Sequence, residues 1–301
     1  MKSSQEELTM KLSATERLFD IGNAILMILL IVCTLYPFYY VFMASISDSN
    51  LLIQHTGLLL KPLGFNLDAF QKVIANPNIL TGYGNTLLIL IVGTAVNLFF
   101  TTLGAYALSR KFVMRKFLMI CIVFTMYFSG GLIPTYLLIN NYLHMGNSYL
   151  ALILPVAIST WNLIIMRTSF EAIPEGLMES AKIDGAGEWR ILFQIVVPLS
   201  MPVIAVMVLY YGVAHWNSWF NAMLFLHDRE KFPLQLILRE ILVQNSTDSM
   251  TTGTGNANDT QAIGESIKYA TIMVATLPIL IAYPFLQKYF VKGVMVGALK
   301  E

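Results

Sequence analysis

The chain has 301 residues, 56% hydrophobic and 12% charged, and its 19 Lys+Arg against 18 Asp+Glu leave a net charge of +1. A soluble domain carries about 25% charged residues, and disorder needs low hydrophobicity with high charge. A mean hydropathy of +0.65 therefore excludes both, and the even charge balance argues against nucleic-acid binding.

The composition is that of an integral membrane protein. Residues 1–18 form an N-terminal tail ahead of a first transmembrane helix, 19–46, whose centre at 21–44 carries no charge. That run is longer than the 7–15 residues of a signal-peptide core, so it reads as a retained anchor. An outer loop, 47–85, follows, with an amphipathic stretch near 67–74. Five more apolar segments centre on 86–108, 117–139, 149–166, 199–220 and 270–290. A second outer loop, 222–266, contains a Ser/Thr/Gly/Asn-rich segment, 245–260, that reads as mobile. Asn245 and Asn258 there match the glycosylation pattern, as chance in a polar loop also would. The chain closes with a tail, 291–301. Cys33 and Cys121 lie in apolar runs and support neither a disulfide framework nor a zinc site.

Lys and Arg set the orientation. Thirteen of the 19 fall in the N-terminal tail, the short second–third connection, the fourth–fifth connection and the end of the chain. The other six are spread over the long loops, and the connection 140–148 has none. Both termini are expected in the cytoplasm. Away from their ends (Lys288 stands two residues from the end of the sixth), the spans hold no Asp, Glu, Lys or Arg, and His215 is the one titratable group of its kind there. Charges inside a span are costly and mark functional sites, and proton- or sodium-coupled carriers usually need buried carboxylates, so their absence argues against that class. No G-x-x-x-x-G-K-[ST] occurs, so energy for active transport would have to enter through another subunit. Gly93, Thr94, Ala95, Thr101, Thr102, Gly104, Ala105 and Ala107 make the second span rich in small residues, as close helix packing requires.

The fourth–fifth connection, 169–198, carries the most specific pattern. Pro174 suits a first helical turn, Glu175 and Glu179 complement its positive end, and Gly185 stands where a left-handed C-terminal cap is wanted. A second helix is expected from Glu188, with Gly187 as N-cap and Trp189, Leu192, Phe193 and Val196 on one apolar face. Pro198 marks the step into the fifth span. Such a helix–glycine–helix hairpin either rests on lipid headgroups or docks a cytoplasmic partner.

The run Glu179, Ser180, Ala181, three residues ending in Asp184, then Gly185-Ala186 and Trp189, followed by Ile195 and Pro198, resembles the EAA loop of ABC importer permeases, with Ser180 in place of the first alanine. Together with Ile173-Pro174, the segment 215–221 and the ending 291–300, the chain is similar to the carbohydrate, maltose-type second-subunit branch, and to the lipoprotein-associated oligosaccharide importer permeases of Gram-positive bacteria. The resemblance implies an all-α type I ABC importer transmembrane fold of six helices, with a five-helix core over 86–290. It implies a non-catalytic subunit of the cell membrane, paired with a homologous permease, two cytoplasmic ATPase subunits and an extracellular solute-binding lipoprotein. This chain would bind no cofactor, with ATP and Mg on the ATPases, and a sugar as cargo. A facilitative channel or secondary carrier is the alternative, in which the glycine-hinged helix pair would be pointless.

The fifth span concentrates Tyr210, Tyr211, His215 and Asn217 with Trp216, Trp219 and Asn221. Aromatic faces with amides and hydroxyls suit a sugar path, while an interfacial aromatic belt or helix packing explains the same residues. In the tail, Gly293 and Gly297 among apolar residues suggest a protein contact or a disordered end.

Overall fold

A computed structural model describes residues 14–243 and 257–298. Among them the structure is helical, with one isolated antiparallel bridge, Ser47 to Phe65. The chain divides into two compact units, residues 1–69 with 254–273 and residues 70–253 with 274–301.

In the first unit, the helix Ala14–Ser45 is exposed from Thr15 through Leu35, as a membrane anchor facing lipid would be. Its end is tied down by a cluster of Ala44, Leu52 and Leu59 against Tyr40 and Tyr269. The Tyr36 hydroxyl accepts from the Leu59 N–H at 3.1 Å, and Tyr39 donates to the Leu60 carbonyl at 2.8 Å. Asp48 caps the short helix Ser49–Gln54 through the N–H groups of Asn50 and Leu51.

The second unit is built on the helix Pro77–Ser109. Asn76 accepts from the Asn78 N–H at 2.9 Å, and Pro77 takes the first turn, where its missing N–H costs nothing. This helix packs against Thr160–Glu171, Met201–Trp216 and Leu234–Val243. One cluster gathers Tyr106, Met166, Phe170, Met178, Ile191, Leu192 and Met207. Another gathers Ile89, Ile139, Leu152, Ala222, Phe225 and Leu236. Lipid tails are as apolar as Leu, so apolar burial alone does not hold helices together in a bilayer. Close contact and hydrogen bonds must do so. Small residues serve that end: Gly93 faces the His215 ring, and Gly104 faces Leu163. Ala95 and Ala107 do not; both are exposed.

Among the described residues, three helices are long and apolar enough to span unbroken. The other three expected spans are bent pairs, where hydropathy alone had suggested continuous helices. They are Arg115–Tyr127 with Leu132–Tyr142 at 109°, Leu150–Val156 with Thr160–Glu171 at 50°, and Glu188–Leu199 with Met201–Trp216 at 84°. Counting each pair as one span gives six. The breaks fall at Gly130-Gly131, with Gly131 at φ +88°, just past Pro155, and at Ser200 between Pro198 and Pro202. Glycine admits conformations other residues avoid, and proline removes a helical donor. The step into the fifth span therefore comes at Ser200, two residues after Pro198.

The amphipathic stretch near 67–74 is the helix Asp68–Ala75. The last helix, Ala257–Ala298, runs past Pro278 and Pro284. It takes in the end of the segment expected to be a mobile loop, including Asn258, and most of the tail. Asn245 and the rest of that loop through 256 lie outside the described residues.

Candidate functional site

The connection 169–198 folds as a hairpin of two helical arms. Glu175–Ile183 is the first arm, with Lys182 in its last turn. Glu175 alone stands in the first turn, and Glu179 lies midway along the helix. The Gly185 N–H donates to the Lys182 carbonyl at 3.0 Å and the Ala186 N–H to the Ala181 carbonyl at 2.9 Å. This bond pair is a Schellman closure, with Gly185 at φ +78° in the left-handed region. Ala181 and Ala186 pack together against the cluster around Met178.

The second arm starts at Glu188 behind Gly187, which supplies no side-chain cap. Helix Glu188–Ile191 passes into a π turn, Leu192–Val196, that includes Ile195. The wider turn changes the expected face. Ile191, Leu192 and Val196 are buried, whereas Trp189 and Phe193 turn outward, their rings parallel at 6.0 Å.

Polar contacts hold both arms to the helix bundle. Tyr106 donates to Glu188 at 2.5 Å, and Lys182 pairs with Glu188 at 2.7 Å. Lys111 pairs with Glu175 at 2.7 Å, and its hydrogen bond holds that carboxyl below the usual carboxylate range. Glu171 receives Arg115 and Arg167, and Arg167 also donates to the Leu108 carbonyl at 3.2 Å. Each exposed pair contributes little by itself, but Tyr106 and Lys111 each tie one arm to the bundle, Lys182 ties the arms to each other, and both arms rest on a buried apolar floor. The outer face presents Leu177, Glu179, Ser180, Ile183, Asp184 and Trp189, all exposed, with Ile183 at 86%. An apolar, acid-rimmed knob on a stiff base can transmit a displacement to whatever covers it.

The second place of interest is a cavity of about 500 Å³ beside the helix Met201–Trp216. Tyr210, Tyr211, His215 and Asn217 all line it, together with Asn97, Ser159, Asn162, Ser218, Trp219, Phe220 and Asn221. Trp216 does not; it is buried against Tyr83, ring centroids 6.3 Å apart. The lining contains amides, hydroxyls and aromatic rings and no Lys, Arg, Asp or Glu. Trp219 is steadied by Phe220, edge-on at 5.6 Å, and by the Arg239 guanidinium 5.1 Å from its ring centre. Such a wall can take a neutral, hydroxyl-rich molecule: rings for its apolar faces, amides for its hydroxyls. Asn97 and Asn162 were not singled out from the sequence. An amide in an otherwise apolar span was the available signal, since it demands a partner there.

Comparison with known proteins places both features in a wider setting. Residues 101–296 match the family described as "Binding-protein-dependent transport system inner membrane component". The chain is 41% identical over 293 residues to Protein LplC of Bacillus subtilis (strain 168), covering 97% of this chain and 98% of that one. It is 41% identical over 289 residues to the polygalacturonan/rhamnogalacturonan transport system permease protein YtcP of the same organism, covering 94% and 99%. A crystal structure of a bacterial ABC transporter involved in the import of the acidic polysaccharide alginate contains a chain with the same fold. The TM-score is 0.84 at 32% identity, over 93% of this chain and 99% of the other.

Proposed function

Because the chain belongs to the binding-protein-dependent transport system inner membrane components, and is thus a multi-pass membrane transport subunit of an ABC importer, we propose that its cargo is an oligosaccharide and that the loop 169–198 is its attachment to a cytoplasmic ATPase. It forms half of a translocation path, the other half coming from a homologous permease. ATP and Mg bind to the ATPase pair, and a solute-binding lipoprotein delivers the sugar from outside.

The observation that carries the reading is the stiff Gly185 hairpin with its outward Leu177, Ile183 and Trp189. In lipid or water this face has no reason to be built so firmly; against a cleft of an ATPase it couples closure to movement of the spans. Glu179, Ser180, Ala181, Asp184, Gly185, Ala186 and Trp189 form the knob, and Ile195 and Pro198 lead it into the fifth span. Sugar permease relatives and the cavity of rings and amides support an oligosaccharide, with Tyr210, Tyr211, His215 and Asn217 on its path. The rings also sit where an interfacial belt would, so the cavity, rather than the aromatic count, favours the path.

Both termini are assigned to the cytoplasm on the distribution of Lys and Arg. Reporter fusions after Arg115 and Lys182 are therefore expected to report the cytoplasm, and fusions after Ser148 and Asp228 the outside. An outside signal from Lys182 would remove the ATPase contact along with the topology.

A further inference from the structure

The break in the fourth span is held from outside that span. Residues 157–159 are not helical, so the backbone groups around them lose their usual partners. Within a bilayer each such group must find another. Two side chains from neighbouring helices provide them. Asn97 Nδ2 donates to the Val156 carbonyl at 2.5 Å, and the Ser159 N–H donates to the Tyr211 hydroxyl at 3.1 Å.

Each side chain is fixed in turn. With its amide nitrogen committed to Val156, Asn97 presents Oδ1 to His215 Nε2 at 2.6 Å, which makes that nitrogen the donor. The Tyr211 hydroxyl shares a 2.7 Å bond with Thr101 Oγ1. Asn97, Thr101, Tyr211 and His215 are all buried. Among the described residues, the breaks at 128–131 and Ser200 show no such bonds from another helix.

Val156, Ser159, Asn97, Tyr211 and His215 also line the cavity. A guest bearing hydroxyls can bond the same carbonyl, amide and phenol that hold the break. Below the break, the 12-residue helix Thr160–Glu171 ends at Glu171, clamped by Arg115 and Arg167 beside the hairpin.

We propose that Asn97 and Tyr211 are positioning residues forming a latch on the fourth span, which sugar in the cavity opens by competing for its hydrogen bonds, so that occupancy is passed along Thr160–Glu171 to the ATPase-docking loop. This rests on the importer reading above. A bond present in one arrangement and absent from the other biases the equilibrium between them. Removing the latch by mutation therefore acts in place of sugar.

The test is ATP hydrolysis by the whole complex in proteoliposomes, with no sugar and no solute-binding protein added. Tyr211→Phe deletes the bonds to Ser159 and Thr101, Thr101→Val the one to Tyr211, and Asn97→Asp the one to Val156; the aspartate still accepts from His215 but cannot donate to Val156. Each is expected to raise the sugar-free rate per complex about two- to tenfold, the range one net hydrogen bond supports. Thr168→Val removes a hydroxyl bonded only within its own helix, to Ile164 at 2.9 Å, and should leave that rate unchanged. The latch is overturned if Tyr211→Phe and Thr101→Val hydrolyse ATP like the unaltered complex. Reduced yield with an unchanged rate per complex also overturns it, since these bonds would then only hold the fold. An unaltered complex with no ATP hydrolysis even when sugar-loaded solute-binding protein is supplied would instead sink the importer reading itself.

Discussion

Gly185→Val should abolish most transport while leaving the protein in the membrane at near-normal abundance. Gly185 has φ +78°, where a Cβ crowds the backbone at a cost of about 1–2 kcal/mol, and more for a β-branched residue. No heavy atom lies within 4 Å of where that Cβ would sit, so the penalty is one of backbone conformation and not of collision. Such a cost is small against the packing of a multi-span bundle. It is large for a nine-residue helix, Glu175–Ile183, whose last turn depends on the Lys182 and Ala181 carbonyls being closed by Gly185 and Ala186. Once that turn opens, Glu179 and Ile183 are misplaced and the knob no longer fits its partner. Gly176→Ala is the control: the site is equally open, lies inside the helix, and gains up to about 1 kcal/mol in propensity. Uptake and ATPase activity of the full complex in proteoliposomes separate the two. Normal transport by Gly185→Val with loss in Gly176→Ala would mean that the turn is not where the function lies.

Gly93→Ala is the second large effect, and it should appear in assembly and thermal stability. A Cβ at residue 93 would lie 2.5 Å from His215 Nε2, 2.7 Å from Cε1 and 2.9 Å from Cδ2. The ring is buried and bonded to Asn97, so it cannot swing aside without leaving an amide unpaired. Either the helices Pro77–Ser109 and Met201–Trp216 part or the bond breaks. Overpacking of this kind costs about 1–3 kcal/mol. Gly104→Ala provides the contrast, because its Cβ would meet only Leu163 Cδ1, at 3.0 Å, the free end of a flexible side chain. Thermal denaturation of the detergent-solubilised complex should show a clear loss for Gly93→Ala and little for Gly104→Ala. A double variant, Gly93→Ala with His215→Ala, should recover part of the loss. Equal stability of Gly93→Ala and the unaltered protein would show that the close helix contact does not exist.

The hairpin was legible in the sequence because its signals are local. Pro174, Gly185 and Gly187 punctuate two short helices, and each constrains only its own turn. The π turn was not legible: its extra residue turns Trp189 and Phe193 away from Leu192 and Val196, and a regular helical period cannot anticipate that. Span number followed from apolar length, but hydropathy averaged across a window passes over Gly131, Pro155 and Ser200. Those residues carried the information on bending, without saying how far the chain would turn. The cavity was half legible. Tyr210, Tyr211, His215 and Asn217 lie close together in sequence, whereas Asn97 and Asn162 meet them only through packing of distant helices.

The most direct measurement is sugar uptake into proteoliposomes, comparing this chain alone, the chain with its partner permease, and the pair with the ATPase subunits, each with and without ATP. Solute-binding protein loaded from an oligosaccharide mixture would be supplied on the outer side. The account predicts uptake only when both permeases, the ATPases and ATP are present together. Accumulation by this chain alone, without ATP, would contradict it and favour a carrier.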